Sequence, residues 1–217
     1  PQFGSHVTSY LDGTDEDHVR AAAEAAMAKG PLKLIIAETP ANPTAAIVDL
    51  ELMVRIADEV GAKQGHRPLV VVDNTLLGPF AQRPIEDGVD LCMTSLTKYC
   101  GGHSDLLAGG VSGRKELIEQ LKLQRTTWGN HLDPFTAWLV LRSLESVSVR
   151  TERAMSNARI VAEYLRDHPK VAGVTYLGFL PEGSRQRAVY DRQCKAPGST
   201  FSFHLHGGEA EAFRMLD

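Results

Sequence analysis

The chain has 217 residues, 43% of them hydrophobic and 23% charged, and 23 basic against 27 acidic side chains give a formal charge of −4. That length can bury a real core, and the mixed charge leaves no basic stripe of the kind that tracks a nucleic-acid backbone. No apolar run approaches the roughly 18 residues of a membrane span, so neither nucleic-acid nor membrane partners are expected.

At the start, Pro1-Gln2-Phe3-Gly4 shows no charged segment followed by an apolar one, which predicts no signal peptide and reads as mid-domain sequence. Thr14 with Asp17 resembles a capping box, and an Ala-rich helix is predicted from there over residues 15–29, stopped by Gly30. Residues 32–37 form a short apolar run ended by Glu38-Thr39-Pro40, a predicted strand and its exit loop. From Asp49, apolar Met53, Ile56, Ala57 and Val60 recur at helical spacing until Gly61 to Gly65 loosen the pattern. Leu69-Val70-Val71-Val72 is a continuous β-branched run, as in a parallel strand buried on both faces, with Asp73 at its carboxyl end. Residues 89–94 predict the next strand, which exits into Ser95-Leu96-Thr97-Lys98. Residues 106–111 predict another strand, and 114–124 another helix. The alternation predicts an α/β fold with a mainly parallel sheet flanked by helices.

Residues 135–166 are helical in pattern but too long for one ordinary helix, so a break is predicted near 146–149. Beyond it, 171–176 and 200–205 predict strands separated by a polar loop, and 209–217 begins an amphipathic helix that stops without a terminator. A boundary near 147 is expected, with a large domain over 1–147 and the start of a smaller α+β C-terminal domain over 148–217. Cys92, Cys100 and Cys194 form neither a CxxC pair nor an even set, which predicts free thiols and a reducing, cytoplasmic compartment. Trp128 and Trp138 are expected to be packing residues, Trp138 through Leu141 and Arg142 on its own helix. His204 and His206 share a strand face, but no third metal ligand is in view.

Ligands of open α/β sheets bind outside the carboxyl ends of strands, so Asp73 and Ser95 to Lys98 are expected in one crevice. A lysine amine forms a Schiff base with an aldehyde, hydroxyls bind phosphate oxygens, and a carboxylate holds a protonated pyridine nitrogen. Those are the handles of pyridoxal phosphate. Taken singly, Asp73 reads more readily as a strand-end cap and Lys98 as a solvated surface lysine.

Five ordered words alter that balance: Glu38-Thr39-Pro40-Ala41-Asn42-Pro43, Val72-Asp73-Asn74-Thr75, Gln82-Arg83-Pro84, Ser95-Leu96-Thr97-Lys98-Tyr99 and Gly102-His103-Ser104-Asp105. Together they resemble the Cys/Met-metabolism family of pyridoxal-phosphate enzymes, which includes cystathionine γ-synthases, cystathionine lyases, methionine γ-lyases and homoserine-ester sulfhydrylases. The resemblance implies a fold type I transferase-like domain, with Lys98 as Schiff-base lysine and proton carrier and Asp73 as ring-nitrogen partner. It further implies that Ser95 and Thr97 bind the cofactor phosphate, that Asn42 lies near the 3-oxygen, and that the enzyme is a homo-oligomer built as a dimer of dimers. His103 and Asp105 read as loop-shaping residues rather than catalysts.

The resemblance begins after the family's N-terminal region and ends inside its C-terminal domain, so a piece of a longer polypeptide is expected. The phosphate loop, the ring-stacking aromatic and the substrate-carboxylate arginine then lie outside these residues. The Gly-His-Ser-Asp word resembles the lyases and synthases, whereas residues 133–139 also resemble the sulfhydrylases. Chemistry at the γ-carbon of a sulfur-containing or homoserine-derived amino acid is favoured, with β-elimination from cystathionine as the alternative. A nucleotide-binding oxidoreductase lacks its GxGxxG here, and a non-catalytic paralogue is opposed by the presence of both Asp73 and Lys98.

Overall fold

The apolar run at 69–72 becomes an inner strand of a four-stranded sheet. The computed structural model describes residues 4–216, so the readings made of Pro1, Gln2, Phe3 and Asp217 lie outside the described residues. The sheet order is β1 (Leu34–Glu38), β2 (Leu69–Asp73), β3 (Leu91–Ser95) and β4 (Gly109–Gly113). β1 and β3 both pair with β2 in parallel, Glu38 standing opposite Asp73 and Asp73 opposite Met93. β4 is antiparallel to β3, with Ser95 opposite Gly109, so the connection between them returns to the same edge. The carboxyl ends of β1, β2 and β3 and the start of β4 therefore share one edge of the sheet.

Two helices, α1 (Glu16–Met27) and α2 (Leu50–Gln64), pack with β1 and β2 in one core. Leu50, Met53 and Ile56 are at most 1% exposed there, each worth roughly 1.5–3 kcal/mol of burial. The cap of α1 differs from the expected one. Asp15 is the cap residue and accepts from the N–H groups of Asp17 and His18, while Thr14 turns back onto the Asp12 carboxylate. A carboxylate nearer the first turn is the better acceptor for its free N–H groups.

The long helical stretch divides where a break is expected, into α4 (Pro134–Leu144) and α5 (Val147–Arg166), preceded by α3 (Lys115–Trp128). β5 (Val171–Thr175) and β6 (Ser202–Leu205) form a separate antiparallel pair, and α7 (Glu209–Leu216) follows. The expected loop between β5 and β6 instead contains a 3-10 turn (Leu177–Phe179) and α6 (Arg185–Gln193). With only Val189 and Gln193 buried, α6 lacks an apolar period; the Ser184 hydroxyl caps it, accepting from Arg187 N at 3.1 Å. Leu177 and Val189 join Ile47, Leu77 and Ala81 in a second core.

The expected packing roles of Trp128 and Trp138 are not met. Trp128 is 78% exposed, and Trp138, 54% exposed, stacks on Phe135, itself exposed. α3 buries none of its residues, so no described element covers this face. His204 lies in β6 and His206 just past it; among the described residues no third His, Cys, Asp or Glu joins them. Among the described residues no helix is long and apolar enough to cross a membrane, and Cys92, Cys100 and Cys194 are free thiols.

Candidate active site

An aspartate at a strand end, followed two residues later by threonine, folds into a local side-chain turn. Asp73 does this: its Oδ1 accepts from the Thr75 N–H at 3.0 Å and from the Thr75 hydroxyl at 2.6 Å. The Thr75 oxygen then accepts the Ser95 N–H at 2.9 Å, joining the ends of β2 and β3. Asp73 Oδ2 has no hydrogen-bond partner among the described residues. Behind them Asn74 and Gln82, both fully buried, bond to each other at 2.6 Å, so these two residues of the family words hold the loop and do not face a ligand.

Residues Leu96–Cys100 make a kinked turn, closed by Gly101 N to Leu96 O and Gly102 N to Lys98 O, both at 2.7 Å. The backbone leaves helical geometry at Lys98, with φ −84° and ψ −114°. The exposed Lys98 side chain lines a cavity of about 1040 Å³, together with Thr97, Tyr99, Asp105, Asp133 and Arg150. Thr97 is partly engaged already: its hydroxyl donates to Ala108 O at 3.3 Å and accepts from Ala108 N at 3.0 Å. The Ser95 hydroxyl has no protein partner among the described residues.

The expected residues thus separate. Thr97 and Lys98 reach the cavity, and Asp73 and Ser95 attach to the Lys98 turn through Thr75 without lining the cavity. Asn42 is exposed in the loop after β1, outside this network, with its backbone N–H donating to Glu38 Oε1 at 3.3 Å. His103 Nδ1 lies 2.7 Å from Gly101 O, a bond within its own loop.

Sequence reasoning missed the supports. Thr75 was legible as the partner of an aspartate turn. The Tyr99 hydroxyl accepts from Ser199 Oγ at 2.8 Å and lies 2.9 Å from Thr200 Oγ1. Arg150 of α5 donates to the carbonyls of Tyr99 and Cys100 at 2.8 and 3.1 Å. No pattern in a single sequence links residues 50 apart.

Burial pushes the Cys92 thiol up, and the Asp73 charge adds to the effect; burial also pushes up Cys100. Neither is a ready nucleophile at neutral pH. The Thr136 side chain and N–H hold Asp133 below the usual carboxylate range, so the cavity wall carries a negative charge at neutral pH.

The profile of the family described as Cys/Met metabolism PLP-dependent enzymes matches residues 2–217. The chain belongs to this family. It is 40% identical over 199 residues to an L-methionine gamma-lyase of Pseudomonas deceptionensis, covering 90% of this chain and 48% of the relative. It is 38% identical over 211 residues to a cystathionine beta-lyase of Coxiella burnetii, covering 96% and 51% respectively. The fold superposes on a crystal structure of cystathionine gamma synthase from Xanthomonas oryzae pv. oryzae, in complex with cystathionine, with a TM-score of 0.83 and 37% identity. That match covers 95% of this chain and 50% of the other. The chain spans about half the length of the curated relatives it matches.

The architecture is accordingly the fold type I transferase-like α/β fold, and pyridoxal phosphate is the family's cofactor. The residues present fit that group. An exposed amine on a cavity wall, an open carboxylate oxygen and an unshared serine hydroxyl are complementary to an aldehyde, a pyridine nitrogen and a phosphate.

Proposed function

We propose that the protein eliminates or replaces a group at the γ-carbon of a sulfur-containing or homoserine-derived amino acid, with Lys98 as the covalent anchor of pyridoxal phosphate. The observation that carries this reading is the Lys98 turn, open to the cavity and bonded through Ser95 and Thr75 to Asp73. When bound, the cofactor supplies a protonated pyridine ring that accepts the electron pair released at the substrate α-carbon. Asp73, through Oδ2, would hold the ring nitrogen in its protonated form. Ser95 and Thr97 would hold the phosphate with their hydroxyls, Thr97 by turning its proton from Ala108 O. By the family resemblance Asn42 would lie near the 3-oxygen. Lys98 would hold the cofactor covalently and serve as the acid and base for protons at the substrate carbons.

We place the protein in the cytoplasm as a homo-oligomer, a dimer of dimers, acting on a small amino-acid substrate. The exposed apolar face of α3 and α4, with Trp128, Phe135, Trp138 and Leu141, calls for a cover, which either the rest of the polypeptide or a second subunit supplies. Cystathionine β-lyase is the second reading, favoured by the likeness to the Coxiella relative.

Two measurements on the complete polypeptide test the proposal. Borohydride reduction followed by peptide mapping is expected to place the cofactor on Lys98; a label on Lys115, Lys122 or no lysine overturns the assignment. Cystathionine, methionine or an activated homoserine is expected to yield 2-oxobutanoate or a replacement product. Pyruvate as the main product from cystathionine selects the β-lyase reading.

A further inference from the structure

The carbonyl groups at the end of a helical turn need donors, and the turn that carries Lys98 draws them from far along the chain. Leu96 O and Lys98 O are satisfied by Gly101 and Gly102. Tyr99 O and Cys100 O receive the Arg150 guanidinium, through Nη1 at 2.8 Å and Nη2 at 3.1 Å. The same Nη2 donates to Ser143 O at the end of α4, at 2.8 Å, and Nε donates to Ser146 Oγ at 3.1 Å. Four of the five guanidinium N–H groups are thereby engaged, on acceptors from the Lys98 turn, from α4 and from the α4–α5 junction. Gly102 makes this approach possible: its φ is +75°, and a β-carbon there would overlap the guanidinium. Arg150 forms no salt bridge among the described residues, so its charge is directed at carbonyl dipoles.

From this geometry we infer that Arg150 is a positioning residue for Lys98, setting where the amine stands in the cavity by locking the two carbonyls that follow it. The inference rests on the reading of Lys98 as the cofactor anchor. Arg150 lies on the cavity wall, half-buried, and engages the backbone one and two residues past Lys98. Without it, two neighbouring carbonyls lose their donors and the exit of the turn is free to shift. Misplacement of a reacting group by about 1 Å is enough to cost up to roughly a hundredfold in rate. Lysine cannot substitute fully, because a point charge does not span divergent carbonyls as a planar fork does.

The test uses the complete polypeptide stripped of cofactor. After pyridoxal phosphate is added, the attachment rate is read from the growth of the visible absorption band and from borohydride-trapped Lys98 peptide. Arg150→Met is expected to slow attachment about tenfold or more, and Arg150→Lys to recover part of the loss. Non-covalent affinity for pyridoxal phosphate is measured in parallel in a Lys98→Ala background, with and without Arg150→Met. A positioning role leaves that affinity unchanged, whereas a merely structural role weakens it by a factor similar to the loss in attachment. Wild-type attachment in the variants, or equal losses in both measurements, overturns the inference. If Arg150→Met does not fold, the same pair of measurements on Arg150→Lys decides by the same criteria. A borohydride label on a residue other than Lys98 instead overturns the reading of the anchor, and peptide mapping separates the two failures.

Discussion

Asp73 divides its two carboxylate oxygens between the fold and the proposed chemistry. Oδ1 is engaged by Thr75, and Oδ2 is left for the ring nitrogen. Asp73→Asn keeps the shape, and its carbonyl can still accept from Thr75, but the charge is lost. A charge-assisted bond is about twice as strong as a neutral one, so the ring loses its preference for the protonated form. Because ~1.4 kcal/mol is a factor of ten in rate, turnover of cofactor-saturated Asp73→Asn is expected to fall by at least about one order of magnitude. Cofactor retention, read by absorbance, falls much less because Lys98 and the phosphate contacts remain. Near-normal turnover would remove Asp73 from the ring nitrogen. The places of Asp73 and Lys98 at strand exits were legible because each stands inside a specific word. Arg150 was not, since a mid-helix arginine looks the same whether it faces water or a carbonyl.

At the scale of elements, α1 and α2 are joined by charge as well as by apolar burial. Glu16 accepts from Arg20 at 2.7 Å and from Arg55 at 2.8 Å, while Arg20 also pairs with Glu59. The hydrogen bonds from Arg55 and then Arg20 hold the Glu16 carboxyl down at about 2, against an ordinary 4.5. Because folding depresses this group, its contribution to stability is fully present above pH 4.5 and is lost as pH falls towards 2. All partners are solvent-accessible, so the effect is modest and is screened by salt. Melting temperatures of wild type and Glu16→Gln are expected to differ near neutral pH and to converge as pH approaches about 2. A constant difference across that window would show that the pairs do not act through ionisation. α1 was legible from its Ala-rich run and the Gly30 stop and α2 from its apolar periodicity, whereas α6 was not, because two buried residues in nine leave no stripe to read.

Over the whole molecule, the proposed division near residue 147 does not separate the cores. Leu177, only 1% exposed, packs with Ile47, Leu77 and Ala81, and Gln193 donates to Val48 O at 2.7 Å and accepts from Leu50 N at 3.2 Å. Tyr99, Ser199 and Thr200 join the same halves beside the Lys98 turn. The two parts are therefore expected to unfold together. Leu177→Ala removes a fully buried side chain and is expected to cost about 2–5 kcal/mol, lowering one shared denaturation midpoint rather than splitting the transition. Two separated transitions, with the Lys98 environment unaffected by the first, would contradict this coupling.

Local sequence by itself determined the strands and helices of residues 15–113, the edge of the sheet where Asp73 and Lys98 emerge, and the family to which the ordered words belong. Those features depend on interactions among near neighbours: alternation along a strand, a helical apolar stripe, a glycine stop, a motif at a strand exit. Tertiary structure decided the rest. The antiparallel return of β4, the helix between β5 and β6, the exposure of Trp128 and Trp138 and the Arg150 clamp depend on partners tens of residues away. Such partners are chosen by which surfaces remain uncovered once the core has closed, and a linear pattern does not encode that geometry residue by residue.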